Sequence, residues 1–374
     1  MREPYVLGTD LVISGLGPVA TFAVGRSELA AAPRAGAAGE AVPDAGQEVW
    51  PRPLAGFDPV RLLGRKGWRF LPEAARYALA AARLADEDAG VRPAERPTGV
   101  VMGTNFAADE TVDRFDRATL AEGVRGISPL EAPNFSINVA ASQVSIDRGY
   151  RAFNITLIDL FTAGSAALLT ACQAIDEGRA SAALAGATEG RPPRAATADL
   201  APVLDEGAAC VVRIERAGDA RERAARPYAT VVAGAQLFVP AGLLDCPDRC
   251  DALVHPLLDR LAAALPAGPR SLDICRPPAS ARAATTAAAV LRWAAAQPAP
   301  CTLVGGRDGG LAGAQGSATA PLRLARLLTD TDTPAALLQA TVGPHGHLVV
   351  LALRTTPWTT GHRLTGCHNP SENH

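Results

Sequence analysis

The sequence predicts an α/β fold with helices covering both faces of its sheets, built from two successive rounds of strands and helices. Three observations carry this. Short runs that are apolar throughout, such as residues 98–104 (TGVVMGT), read as strands buried on both faces. Longer segments with apolar residues at helical spacing lie between them. The alternation then starts again near residue 227, so the chain reads as internally duplicated. The expected halves are residues 1–225 and 226–356, with 357–374 as a disordered tail.

Residues 11–17 (LVISGLG) form a short apolar strand, and Gly15-Leu16-Gly17-Pro18 reads as a turn that ends it. Residues 31–56 are rich in Ala, Gly and Pro without periodicity and read as a surface excursion. An amphipathic helix is expected over 72–88, closed by Gly90. The strand at 98–104 precedes a helix over 109–122, with Val112, Phe115 and Leu120 on its apolar stripe. Residues 133–150 read as a small-residue helix stopped at Gly149, and CVVRIER (210–216) as another strand. The second round starts with PYATVVAGAQL (227–237). It continues through helices at 258–265 and 284–296 and strands at 271–275, 301–306 and 347–354.

Composition excludes several classes. The chain has 374 residues, 48% hydrophobic and 20% charged, which is globular rather than disordered. A formal net charge of −2 points to neither nucleic acid nor an anionic membrane surface as a partner. Seven cysteines, an odd number scattered through a long chain, read as reduced thiols in a cytoplasmic protein. The first twenty residues lack the basic and apolar regions of a signal peptide, and no apolar run approaches the ~18 residues of a membrane span.

The most informative segment is residues 155–190, ITLIDLFTAGSAALLTACQAIDEGRASAALAGATEG. An apolar strand meets a sharp Thr162-Ala163-Gly164-Ser165 junction, then a small-residue helix, then a second strand ending in Gly186-Ala187-Thr188-Glu189-Gly190. This arrangement resembles the central motif of the β-ketoacyl synthases, in which T-A-C-x-[SG]-G opens a buried helix. ISGLG near the start, the helix RYALAAARLA, the strand end MGT, SPLEAPNFSINVAASQVSIDRGYRAFN and the EGAA strand are similar to ketosynthase segments in the same order. LLGRKGWRF (62–70) is similar to polyketide ketosynthase subunits. The resemblance implies the layered αβαβα thiolase-like fold with two duplicated halves, normally assembled as a two-fold or pseudo-two-fold dimer.

With Gly164 on the family glycine, Phe161 stands where the reactive cysteine belongs, and a phenyl ring cannot attack a thioester. The family also uses two histidines to assist decarboxylation and hold the oxyanion. Its first histidine loop corresponds to Arg276-Pro277-Pro278-Ala279-Ser280. In the second, Gly305 stands for the lysine and Gly310 for the histidine. The six histidines are residues 255, 345, 347, 362, 368 and 374, so none lies between 256 and 344. His345 and His347 occupy the family's glycine-rich gating turn and read as turn residues.

Other candidates read as structural. Cys172 lies eleven residues beyond Phe161 and reads as a core thiol. As replacement nucleophiles, Ser165 has no histidine nearby in sequence and Asp159 reads as part of the strand. Cys246, Cys250 and His255 supply only three local zinc ligands and read as a loop. The glycine pairs at 305–306 and 309–310 lack a following G-K-[ST] and read as turns. No cofactor or metal is expected.

The resemblance therefore implies a subunit without catalytic residues of its own, of the kind called a chain length factor. It would pair with a cysteine-bearing ketosynthase (KSα) and shape the tunnel for a chain carried on acyl carrier protein. The positions matching the family's tunnel and interface are Phe106, Val112, Phe115, Glu131 and Phe135, together with Phe161. Many chain length factors carry glutamine where Phe161 stands, and Phe161 has no amide with which to assist decarboxylation. The alternative is a stand-alone acyltransferase or hydrolase on the same fold, using a relocated nucleophile.

Overall fold

The computed structural model describes residues 5–32, 54, 56–92, 96–190, 207–243, 246–277, 280–304, 315–330 and 335–356. In the first half the elements are β1 (Tyr5–Ala20), β2 (Ala23–Val24), α1 (Arg26–Ala31), α2 (Pro59–Leu63), α3 (Glu73–Asp88), β3 (Thr98–Gly103), α4 (Asp109–Glu122), α5 (Val139–Arg148), β4 (Asn154–Leu157), α6 (Ala163–Asp176), β5 (Ala182–Glu189) and β6 (Ala208–Arg216). After α7 (Ala217–Glu222) come β7 (Ala229–Phe238), α8 (Pro247–Ala263), β8 (Arg270–Cys275), α9 (Ala281–Ala295), β9 (Cys301–Val304), α10 (Thr319–Thr329), β10 (Ala336–Val342) and β11 (His347–Thr355).

The strand order β4-β3-β5-β6-β1-β7-β11-β10-β8-β9 shows the duplication directly. In the first half β3 is parallel to β4 and β5, and β6 runs antiparallel to β5 and β1. In the second, β8 is parallel to β9 and β10, and β11 runs antiparallel to β10 and β7. Thus β1, β3, β4, β5 and β6 correspond to β7, β8, β9, β10 and β11. The two five-strand halves join where β1 pairs antiparallel with β7.

Three apolar clusters fill the spaces between five layers. One lies between α3 and α5 and the first half's strands, and another between α8 and α9 and the second half's strands. The third surrounds α6 and α10, with residues of β1, β5, β6 and β11 on either side. This is the layered αβαβα thiolase-like fold with two duplicated halves. Strands such as β3 and β5 are buried at every residue because helices cover both faces, which is why they read as continuous apolar runs.

Several sequence expectations change. Gly15 and Gly17 do not end the first strand; β1 continues to Ala20. A Cβ on Gly15 would lie 2.0 Å from the Ala85 carbonyl oxygen, and one on Gly17 1.9 Å from that of Ala81. These glycines let α3 rest directly on the strand. The helix expected over 133–150 begins only at Val139, after a 3₁₀ turn at Ala132–Phe135. Leu120 is 88% exposed, so it is not part of the buried stripe of α4. The helix expected at 258–265 is the last part of α8, which begins at Pro247 and carries Pro256 inside it. Most of 31–56 and all of 357–374 lie outside the described residues.

Candidate functional site

The junction between β4 and α6 is built around the Asp159 carboxylate. Thr162 is the N-cap of α6, but its side chain makes no capping bond. Asp159 Oδ1 instead accepts the backbone N–H groups of Phe161 and Thr162, at 3.3 and 3.0 Å. Its Oδ2 meets Nδ1 of His347, the first residue of β11. Burial would raise the Asp159 pKa, but the donors on Thr162, His347 and Phe161 outweigh it and hold the carboxyl below its ordinary value.

Phe161 lies in this turn and is 2% exposed. Its ring packs with Cys275, at the end of β8, and Ala320, on α10, with Leu160 alongside. The space at the start of α6 is therefore occupied by an aromatic ring. Below it, Cys275 Sγ lies 3.4 Å from Asp273 Oδ2. Burial pushes the Cys275 thiol well above its usual value; Arg323 opposes the rise and Asp273 adds to it. Arg323 forms a buried ion pair with Asp273, whose Oδ2 also accepts from Gln339 Nε2 at 3.0 Å. Ser165 bonds Thr341 through their hydroxyl oxygens at 2.7 Å, and both are buried. The carboxylate beside Cys275 is engaged by Arg323, and the hydroxyl beside Ser165 is no base, so neither is activated as a nucleophile.

A second buried carboxylate ties the surrounding loops together. Glu189 accepts from Asn105 Nδ2 at 2.7 Å, from the backbone N–H groups of Asn105 and Phe106 at 3.0 and 3.2 Å, and from the Ser317 hydroxyl. Asn105 Nδ2 also reaches the Asp159 carbonyl at 3.1 Å. The end of β5, the loop after β3 and the turn before α10 thus converge beside Phe161. Desolvation raises the Glu189 carboxyl above its ordinary value despite these donors. Sequence reading placed Glu189 at a strand end without a role and missed Asn105 and Ser317. Glu189 and Asn105 carry one sequence signal, a polar residue where a wholly apolar strand ends, and Ser317, in the 3₁₀ turn before α10, carries none.

The expected tunnel and interface residues divide into two groups. Phe106 is 7% exposed and tied by its backbone to Glu189. Phe115 is 8% exposed, and its ring stacks on that of Phe135, which is 58% exposed, with centroids 6.3 Å apart and planes 6° from parallel. Val112 is half-buried on the same helix. Arg114 Nε lies 3.2 Å from Glu131 Oε2, so Glu131 anchors the following loop to α4. Gly305 and Gly310 lie outside the described residues.

Cys172 is a buried thiol pushed up to about 12 by desolvation. Cys246 and Cys250 stand at the start of α8 rather than in a loop. His255 Nε2 lies 3.0 Å from the Ala289 carbonyl oxygen and does not join them. Among the described residues no three His, Cys, Asp or Glu side chains are placed to hold a metal ion, and no helix is long and apolar enough to cross a membrane.

Residues 58–202 match the family described as beta-ketoacyl synthase, N-terminal domain. The 3-oxoacyl-[acyl-carrier-protein] synthase 2 of Coxiella burnetii (strain RSA 493 / Nine Mile phase I) is 29% identical over 255 residues, covering 59% of this chain. The chain spans 61% of the length of that relative. Among solved structures, the ishigamide ketosynthase/chain length factor superposes with a TM-score of 0.72 at 24% identity, covering 93% of this chain and 99% of that one. A type II polyketide synthase structure, the AntDE:AntF acyl-carrier protein in complex with its ketosynthase bound to the hexaketide, gives 0.69 at 15% identity, covering 93% of this chain and 99% of that one. At these identities the two structures establish the fold. Residues 58–202 thus match the beta-ketoacyl synthase N-terminal domain, and the chain shares its thiolase-like architecture with these ketosynthase structures.

Proposed function

We propose that this chain is a ketosynthase-like subunit without condensing chemistry of its own, a chain length factor. It pairs with a cysteine-bearing KSα and bounds the tunnel into which a chain held on acyl carrier protein extends. The observation that carries this reading is the buried ring of Phe161 at the start of α6, packed against Cys275 and Ala320. A condensing enzyme needs a thiolate at such a helix start. Here the ring takes that position and the Asp159 carboxylate takes the adjacent N–H groups, so the local field disfavours an anion.

The surface supports a partner. Leu120, Val124, Leu130, Phe135 and Ile158 are exposed at 88, 76, 68, 58 and 64% and lie on α4, the loops after it and the junction after β4. β4 is the edge strand of its half, with an open row of backbone groups. Exposed apolar side chains beside an unpaired strand fit a protein interface better than water. The residues we assign to the tunnel wall or interface are Phe106, Val112, Phe115, Glu131, Phe135 and Phe161. Arg61 on α2 and Arg65, Lys66, Arg69 and Phe70 on the loop after it are exposed, and the loop is joined to the 3₁₀ turn at Ala132–Phe135 by the Asn134 amide donating to the Phe70 carbonyl. That charge suits an acidic carrier domain.

The test is co-expression with candidate KSα subunits and a malonyl-carrier-protein elongation assay. A stable 1:1 complex whose activity needs this chain supports the proposal. Thioester turnover by the chain alone, or no complex with any KSα tested, overturns it.

A further inference from the structure

We propose that a small cavity at the end of the sheet where β3 begins is a binding site for a single monatomic anion, of which chloride is the type. The site lies away from the Phe161 junction and does not depend on the function proposed above.

Four arginines line the cavity, Arg92, Arg96, Arg213 and Arg223, with Thr98 and Tyr150 beside them and no carboxylate in the lining. Its volume of about 10 Å³ is the room of one water molecule. A monatomic ion fits there, whereas sulfate and phosphate do not. Guanidinium groups carry their charge at every working pH and offer several N–H donors each, so they suit an anion.

The lining is held by carboxylates that point away from the cavity. Arg213 stands on β6 and is 1% exposed. Its Nη1 donates to Asp86 Oδ1 at 3.0 Å and to the Tyr150 hydroxyl at 3.4 Å. Its Nε lies 3.6 Å from Glu215 Oε2, too far for a hydrogen bond. Asp86 Oδ2 accepts from Arg148 Nε and from the Tyr150 hydroxyl, each at 2.8 Å. Arg223 grips Glu215 through Nη1 and Nη2 at 2.9 and 2.6 Å, and Arg96 pairs with Asp219 and Glu222. Arg213 Nη2 is left with no acceptor among the described residues, on a side chain that is otherwise buried. Arg92 is exposed and makes no ion pair or hydrogen bond among the described residues.

The charges around the cavity do not cancel. Among the described residues, the guanidinium groups of Arg92, Arg96, Arg148, Arg213 and Arg223 outnumber by one the carboxylates Asp86, Glu215, Asp219 and Glu222 that pair with them. Tyr150 adds no negative charge, because desolvation and the Asp86 carboxylate push its hydroxyl up to about 12. A water molecule would accept from Arg213 Nη2 but leave the surplus charge. A monatomic anion satisfies the donor and the charge together. It would link β6 through Arg213 to the segment after α3 through Arg92.

The test is thermal unfolding of the full-length protein in sodium chloride and in sodium gluconate at matched concentrations. Gluconate carries the same charge but is too large to enter. The general salt effect favours the more strongly hydrated gluconate, so a higher melting temperature in chloride marks binding. The advantage of chloride should saturate with concentration and reach about 2 °C for a Kd near ~10 mM, and bromide should match it. Arg92→Gln removes a side chain that nothing else in the fold relies on. It should abolish the chloride advantage and leave the melting temperature in gluconate unchanged. Wild-type curves that coincide in the two salts, or a chloride advantage that survives in Arg92→Gln, overturn the anion site.

Discussion

The ring of Phe161 lies against the side chain of Cys275, joining the start of α6 in one half of the fold to the end of β8 in the other. The pair brings the thiol of this cluster to the start of α6, the position that the proposed function reads as the lost nucleophile site. Burial and Asp273 keep Cys275 protonated, and the phenyl ring keeps it covered.

Restoring a cysteine at the junction should therefore not restore chemistry. In Phe161→Cys the new thiol would sit beside an Asp159 carboxylate that already accepts the Phe161 and Thr162 N–H groups. A helix start normally favours thiolate, but here the nearest full charge is negative. Peptide-resolved alkylation by iodoacetamide at pH 7 should be no faster than that of an ordinary exposed cysteine, and condensing activity should stay absent. The lost ring volume should cost ~2–4 kcal/mol of stability. Rapid alkylation at neutral pH would show that the site still activates a nucleophile.

Glu189 gives a prediction with a definite pH sign. Its folded pKa is raised by desolvation, so between the unfolded value and the folded one the native state binds more protons. Stability from this group is present at low pH and is lost as pH rises through the folded pKa. Glu189→Gln removes that titration. It also turns an amide toward groups that donate, namely Asn105, the Phe106 N–H and Ser317. The variant should be less stable by ~1–3 kcal/mol, and its melting temperature should fall less steeply than wild type above about pH 4.5. Parallel curves for the two proteins would refute the assignment.

Much of the fold was legible because wholly buried strands announce themselves as apolar runs, as at β3 and β5. The position of Phe161 was legible for a different reason: a small-residue helix after a strand has a distinctive pattern. What was not legible depends on contacts between distant segments. Gly15 and Gly17 looked like a turn because their sequence does not reveal that Ala81 and Ala85 of α3 press on the strand. α10 was missed, since Pro321 and the buried Arg323 disguise a helix whose charge is neutralised only by Asp273 on β8. Asp159 read as part of the strand, but β4 ends at Leu157, and His347 reaches Asp159 only through the β10–β11 turn.

The Arg323–Asp273 pair is 3% and 0% exposed at its two side chains. Burial alone would lower the arginine pKa, but the charge and hydrogen bond of the Asp273 carboxylate overcome this and raise it. Arg323→Met should strand the Asp273 carboxylate and cost about 3–5 kcal/mol in urea unfolding. The double substitution Arg323→Met with Asp273→Leu should recover most of that loss, because no buried charge then remains unpaired. Gln339 would keep its bond to the Ala320 carbonyl at 3.1 Å. A double variant as unstable as the single would mean that the site needs the charges for more than mutual neutralisation.

Phe115 and Phe135 stack, but differ in what they face. Phe115 is 8% exposed and part of the packing of α4, so Phe115→Ala should lower stability by about 3 kcal/mol and impair association only as a consequence. Phe135 is 58% exposed, so Phe135→Ser should change monomer stability by less than about 1 kcal/mol. If this face meets a KSα, the exposed ring becomes a buried aromatic anchor there, and its loss should weaken association by ~10-fold or more. Urea unfolding of the single chain and titration calorimetry with the partner separate the two effects. A Phe135→Ser variant that binds KSα as tightly as wild type would move the interface away from α4, and the tunnel wall with it.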